Sequence, residues 1–128
     1  PAEALQAADS YLALVQDPYA RARGMLVVAE ARRGLKEFGP AQTAAEEALM
    51  LQPEGRLNAA GRMTVAEIAF SKGEFEAAAK AFLSVALLYE DPTITPRALQ
   101  RAAESYQRAD NPEEAEKISE ELKRRFPD

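Results

Sequence analysis

The sequence predicts an all-α protein built from antiparallel helix pairs that repeat along the chain. Three observations support this fold class: an internal repeat with a constant step of 37 residues, apolar residues at helical spacing, and prolines at the borders between apolar stretches. No stretch shows the alternation that is typical of a half-buried strand. We therefore expect about seven helices and no β-sheet.

The repeat is gap-free over most of the chain. Ala41, Ala78 and Ala115 lie 37 residues apart, and each opens an apolar stretch. Further columns fall in the same register: Gly24, Gly61 and Ala98; Val28-Ala29, Val65-Ala66 and Ala102-Ala103; Phe38 and Phe75; Ala48, Val85 and Leu122. This register predicts three full repeats at 18–53, 56–90 and 95–127, and it predicts that residues 1–16 are the second half of a fourth.

Prolines mark where the helices begin and end. Asp17-Pro18, Thr95-Pro96 and Asn111-Pro112 each have the form of an N-cap followed by a proline in the first turn. Pro53 and Pro127 follow apolar stretches and indicate helix ends. The predicted helices are 2–16, 18–36, 40–52, 56–72, 75–89, 95–109 and 112–126. Because the intervening loops are short, consecutive helices should pack antiparallel.

Composition excludes several classes of function. The chain has no cysteine and no histidine, which excludes disulfides, Cys/His zinc sites, thiol nucleophiles and imidazole bases. The net charge of −5 disfavours nucleic acid as a partner, and no apolar run reaches the roughly 18 residues of a membrane span. Neither a glycine-rich phosphate loop nor a calcium loop is present. We expect no enzyme activity, cofactor or metal, and the start at Pro1 without a signal peptide indicates a piece of something longer.

The repeat unit resembles the tetratricopeptide repeat. The second unit carries the resemblance best, with Gly73, Phe75 and Ala78-x3-Phe82; departures are Arg32 and Ala69 at the expected aromatic and Ser119 at the expected phenylalanine. The resemblance implies a right-handed superhelical array, with the first helix of each pair on the concave side, that binds proteins or peptides. The 37-residue step is similar to that of Tol-Pal-associated and outer-membrane-assembly members in bacteria. It implies a periplasmic or envelope location, while the cytoplasm remains open.

A stripe on the first helices is the candidate binding surface. Ala29, Ala66 and Ala103 should occupy equivalent buried helix crossings, as should Ala41, Ala78 and Ala115. The residue after each of the first three alanines lies about 100° further round the helix and is always glutamate. Residues four before and three after it share its face. The resulting stripe, concave by the resemblance, consists of Leu26, Glu30, Arg33, Met63, Glu67, Phe70, Gln100, Glu104 and Gln107.

The stripe predicts a groove for a peptide with basic and apolar residues. The alternatives are that the glutamates are simply solvated and that Met63 and Phe70 belong to the core. A different class of function is a structural scaffold, a segment of a longer solenoid with no peptide ligand. The first helix carries Leu5, Tyr11, Leu12, Leu14 and Val15. It should expose an apolar face that includes Tyr11 and one or two of its leucine neighbours, through which the chain forms a homo-oligomer. The cluster Lys123-Arg124-Arg125 complements a helix C-terminus and indicates no site.

Overall fold

Seven α-helices account for most of residues 1–127, which are the residues described by the computed structural model. They are α1 Ala2–Leu14, α2 Pro18–Gly34, α3 Phe38–Leu51, α4 Arg56–Ser71, α5 Phe75–Leu88, α6 Ile94–Arg108 and α7 Pro112–Arg125. Residues 1–127 contain no strand, so the all-α prediction is confirmed. Helix α3 begins at Phe38, ahead of the predicted start, because Pro40 is tolerated in a first turn that needs no intrahelical amide. Over the same residues, no helix is long and apolar enough to span a membrane.

The chain forms two compact units, one from Pro1 to Ile68 and the other beginning at Ala69. In the first unit, α2 packs against both α1 and α3. Its core is completed by α4, whose Val65 and Ile68 pack with Ala29, Ala41 and Ala45. In the second unit, α6 packs against both α5 and α7. Adjacent helices therefore pack as expected for a helical repeat.

The turn inside each helix pair has the same backbone geometry in all three repeats. Lys36, Gly73 and Asp110 lie 37 residues apart, and each has a positive φ, of 62°, 82° and 60°. Each turn is closed by two backbone hydrogen bonds that define a Schellman motif. The outer bonds run from Glu37 to Arg32, Glu74 to Ala69 and Asn111 to Tyr106, and the inner ones from Lys36 to Arg33, Gly73 to Phe70 and Asp110 to Gln107.

The loop between successive pairs is held by a second recurring interaction. A side chain in the first turns of α2, α4 and α6 donates to the carbonyl of the residue that directly follows the preceding helix. The bonds are Arg21 Nη1 to Val15 at 3.1 Å, Asn58 Nδ2 to Gln52 at 2.7 Å and Thr95 Oγ1 to Tyr89 at 2.6 Å. Donors and acceptors both follow the 37-residue step, so the repeat extends to individual hydrogen bonds.

Two sequence predictions about individual positions are wrong. Ala41, Ala78, Ala115, Ala29 and Ala66 are fully buried as expected, but Ala103 is only half-buried. Ala29 is covered by α4, and no helix follows α7 within the described residues to cover Ala103 in the same way. Thr95 is not an N-cap, because α6 begins at Ile94. The Asp91 carboxylate instead accepts from the amides of Thr93 and Ile94, both at 2.8 Å.

Candidate peptide-binding face

Each residue of the stripe predicted from the sequence is at least partly accessible to solvent. Its exposed members are Glu30, Gln100, Glu104 and Gln107, and its half-buried members are Leu26, Arg33, Met63, Glu67 and Phe70. The residues immediately before two of the glutamates, Ala29 and Ala66, are fully buried. A step of one residue thus separates the packed face of α2 and α4 from the stripe, as helical geometry requires.

In the first unit, the stripe residues of α2 already have partners within the protein. The Arg33 guanidinium lies 2.7 Å from the Glu30 carboxylate. Leu26 packs toward α4, since a Cβ built on Gly61 would lie 3.7 Å from its Cδ2 atom. Leu26 on α2 therefore lies against α4, the helix that carries the stripe residues Met63 and Glu67.

In the second unit, Phe70 belongs to a cluster of aromatic rings and guanidinium groups. Its ring meets that of Phe75 edge-on, with centroids 5.0 Å apart. The Arg101 guanidinium lies 4.2 Å from the Phe70 centroid, and that of Arg108 lies 4.7 Å from the Phe75 centroid. These distances are typical of cation–π interactions, so arginine side chains partly cover the Phe70 ring.

Sequence reasoning missed Phe75, Arg101 and Arg108 as neighbours of the stripe. One signal was available, because Arg101 and Arg108 are seven residues apart and therefore share a face of α6. Nothing in the sequence indicates that this face meets the α4–α5 turn. That contact depends on the packing of α5 against α6.

Ion pairs compensate part of the negative charge of the stripe. Arg101 lies 2.7 Å from Glu104, and Arg33 pairs with Glu30 at the same distance. The glutamate of each pair is nearly half exposed. Such surface pairs contribute only about 0.2–1 kcal/mol, so a basic ligand can replace the internal arginine at small cost.

The Glu121 carboxylate has a lowered pKa, and it lies away from the stripe. A hydrogen bond from Arg124 lowers the pKa of Glu121, helped by the positive charges of Arg124 and Arg125. Glu121 lies in the last turns of α7, where its partners are three and four residues ahead. This is the ordinary chemistry of a helix-surface ion pair. Over residues 1–127, no group of three or more acidic, histidine or cysteine side chains is arranged to hold a metal ion.

No family model, curated protein or solved structure matches this chain. The tetratricopeptide resemblance therefore depends on the residues and the 37-residue step alone. The recurring turns and side-chain locks add support for a helix-pair repeat of constant length.

Proposed function

We propose that the chain is a protein–protein interaction module, a right-handed array of tetratricopeptide-like helix pairs that binds a peptide on the stripe. The observation that supports this proposal is the partial or full accessibility of all nine stripe residues, beside the buried Ala29 and Ala66. Residues that only filled the core would be fully buried, and none of the nine is. We also propose that this chain is one part of a bacterial envelope protein. The proposed function includes no catalytic step.

The peptide proposed for this face combines basic and apolar residues. Glu30, Glu67 and Glu104 supply the negative charge, and the exchangeable arginine pairs leave the carboxylates of Glu30 and Glu104 available to a lysine or arginine of the ligand. Met63 and the accessible part of Phe70 supply apolar contact. The Gln100 and Gln107 side chains can donate to and accept from an extended peptide backbone.

A peptide array with systematically varied basic and apolar content tests this proposal. The triple variant Glu30→Gln/Glu67→Gln/Glu104→Gln should weaken the bound peptides by about tenfold or more and flatten their salt dependence. A matched control, Glu47→Gln/Glu76→Gln/Glu116→Gln, makes the same charge change at exposed positions of the second helices and should retain binding. Equal binding by both triple variants, together with full retention by a folded Phe70→Ala variant, would place the ligand elsewhere.

A second candidate function is a self-associating scaffold. Tyr11 and Leu14 on α1 are 45% and 86% exposed, which is unusual for large apolar side chains. Burial of these side chains against a second copy would account for their exposure in a single chain. This alternative predicts association without any peptide ligand.

A further inference from the structure

An open groove of about 690 Å³ lies between the first turns of α6 and the last turn of α7. Its apolar lining includes Pro96, Leu122 and Phe126, and its charged lining consists of Arg97 and Arg125. The described residues that line it include no acidic side chain. Only Gln100 is shared with the stripe proposed above to bind peptide, so this groove is a separate surface.

The repeat shows what occupies the equivalent face in the first unit. Equivalent positions of the two units lie two repeat steps, or 74 residues, apart. Leu26 is therefore the equivalent of Gln100, and Ala48 is the equivalent of Leu122. There the face is covered by α4, whose Gly61 is so close that an added Cβ would lie 2.8 Å from Leu49 and 3.7 Å from Leu26. Ala48 is only 3% exposed. The same chain thus provides a template for a helix seated on this face.

In the second unit, the face has the same backbone framework but a different surface. Leu122 and Ala103, the equivalents of Ala48 and Ala29, are both half-buried. Arg125 stands where the first unit has Leu51, so an apolar side chain is replaced by a cation. This face of α6 and α7 is therefore more basic than the equivalent face of α2 and α3, which α4 covers.

We propose that this groove binds an acidic amphipathic helix of a partner protein. In the first unit, the N-terminal turn of the seated helix lies beside the end of α3, where Asn58 bonds to Gln52. The residue equivalent to Gln52 is Phe126, so the first turn of the partner helix lies beside Phe126 and Arg125. Acidic residues are favoured in the first turn of a helix, and here they also meet two guanidinium groups.

The ion pairs of α7 allow Arg125 to exchange Glu121 for a carboxylate of the partner helix. Glu121 lies 2.5 Å from Arg124 and 3.5 Å from Arg125. A carboxylate of the partner helix can therefore take Arg125 while Glu121 keeps Arg124. A small residue in the middle of the partner helix would allow the close approach that Gly61 makes in the first unit.

Two synthetic peptides test the proposal on the whole chain. The first has the sequence of residues 56–71, and the second has the same sequence with Arg56→Glu and Arg62→Glu. We expect the acidic peptide to bind and to shift the amide resonances of residues 97–100 and 122–126. The variant Arg97→Glu/Arg125→Glu should weaken it by about tenfold or more and should bind the unmodified peptide better than wild type does. The control Arg23→Glu/Arg56→Glu makes the same charge change in the first unit and should leave acidic-peptide binding unchanged.

Several results would overturn the proposal. One is equal affinity of the acidic peptide for wild type and for Arg97→Glu/Arg125→Glu; another is no binding at about 1 mM peptide. A third is resonance shifts confined to α1–α4. A fourth is a wild-type dimer that only the Arg97→Glu/Arg125→Glu change dissolves, since the occupant would then be a second copy. Circular dichroism checks that each variant folds, and Arg97→Gln/Arg125→Gln replaces the charge reversal if it does not.

Discussion

At the scale of single residues, three different side chains perform one task. Arg21, Asn58 and Thr95 occupy equivalent positions, and each donates to the carbonyl of the residue that directly follows the preceding helix. Sequence comparison between repeats could not reveal this column, because a guanidinium, an amide and a hydroxyl share no residue type. They share only a donor of suitable reach. The alanine columns were predictable because burial against a close neighbour selects one residue type, whereas a hydrogen bond does not.

Thr95→Val should destabilise the protein by about 1–3 kcal/mol. The Thr95 hydroxyl donates to Tyr89 at 2.6 Å and accepts from the amide of Asp91 at 2.9 Å, and the residue is fully buried. Valine keeps the shape but removes both bonds. Chemical denaturation measures the loss, and Thr93→Val, at an exposed position two residues earlier, is the control. A cost no greater than that of the control would show that the lock contributes little.

Lys36→Gly should stabilise the protein by about 0.5–1 kcal/mol. Lys36 has a φ of 62°, a conformation that costs a residue with a Cβ about 1–2 kcal/mol, partly offset by the larger entropy of glycine in the unfolded chain. Gly73→Ala at the equivalent turn should have the opposite sign. Asp110→Gly should gain less than Lys36→Gly, because aspartate tolerates this region better. Thermal and urea unfolding of the three variants would refute the argument if Lys36→Gly proved destabilising.

At the scale of elements, all seven helices were predictable with bounds within two residues. Prolines and the repeated register supplied the borders, and helical spacing supplied the type. The accessible stripe was also predictable, because its position follows from 100° per residue once the buried alanines are assigned. The ion pairs and the arginine cover of Phe70 were not. They depend on which rotamers neighbouring helices leave open, and helix-surface spacing alone gives several candidate partners.

The arginine–aromatic cluster should contribute measurably to the packing of α6. Arg101 is 4.2 Å from the Phe70 ring and 5.5 Å from the Phe82 ring. A double-mutant cycle of Arg101→Lys with Phe70→Leu should give a coupling of about 0.5–1 kcal/mol, since lysine keeps the charge but loses the planar stacking. The control cycle pairs Phe70→Leu with Arg124→Lys on α7, where Arg124 binds Glu121. Equal coupling in both cycles would mean that stacking on Phe70 is not the cause.

Helix α7 should make a small contribution to acid sensitivity through Glu121. The folded pKa of Glu121 is lowered by the hydrogen bond from Arg124, so its contribution to stability is present above the ordinary value of 4.5. It is lost as the pH falls through the lowered folded pKa. The stability difference between wild type and Glu121→Gln should therefore shrink as the pH is reduced below 4.5. The stability difference between wild type and Arg124→Gln should shrink in the same way. A difference that grows at low pH would contradict the assignment.

At the scale of the whole chain, exposed apolar residues recur at the ends of the second helices. Met50 and Leu87 are one repeat step apart and are 82% and 84% exposed. Leu14 and Leu88, two repeat steps apart, occupy the next position and are 86% and 59% exposed. On α7 the equivalent residues are Arg124 and Arg125. Three of the four second helices thus end in apolar side chains, which would gain free energy if a partner covered them.

Self-association through α1 is the outcome that would separate the scaffold from the peptide-binding module. If two copies meet through α1, each buries Leu14 and part of Tyr11, and each Leu14→Glu replacement removes about 1.5–3 kcal/mol of apolar burial. The dissociation constant should then rise by more than about tenfold in sedimentation velocity. Met50→Glu makes the same change at an equally exposed site on α3 and should leave association unchanged. A monomer at every concentration, or equal effects of the two substitutions, would remove α1 as the interface. In that case the exposed leucine of α1 would give the scaffold no support, and the stripe on the first helices would be the better candidate for the surface that binds a partner.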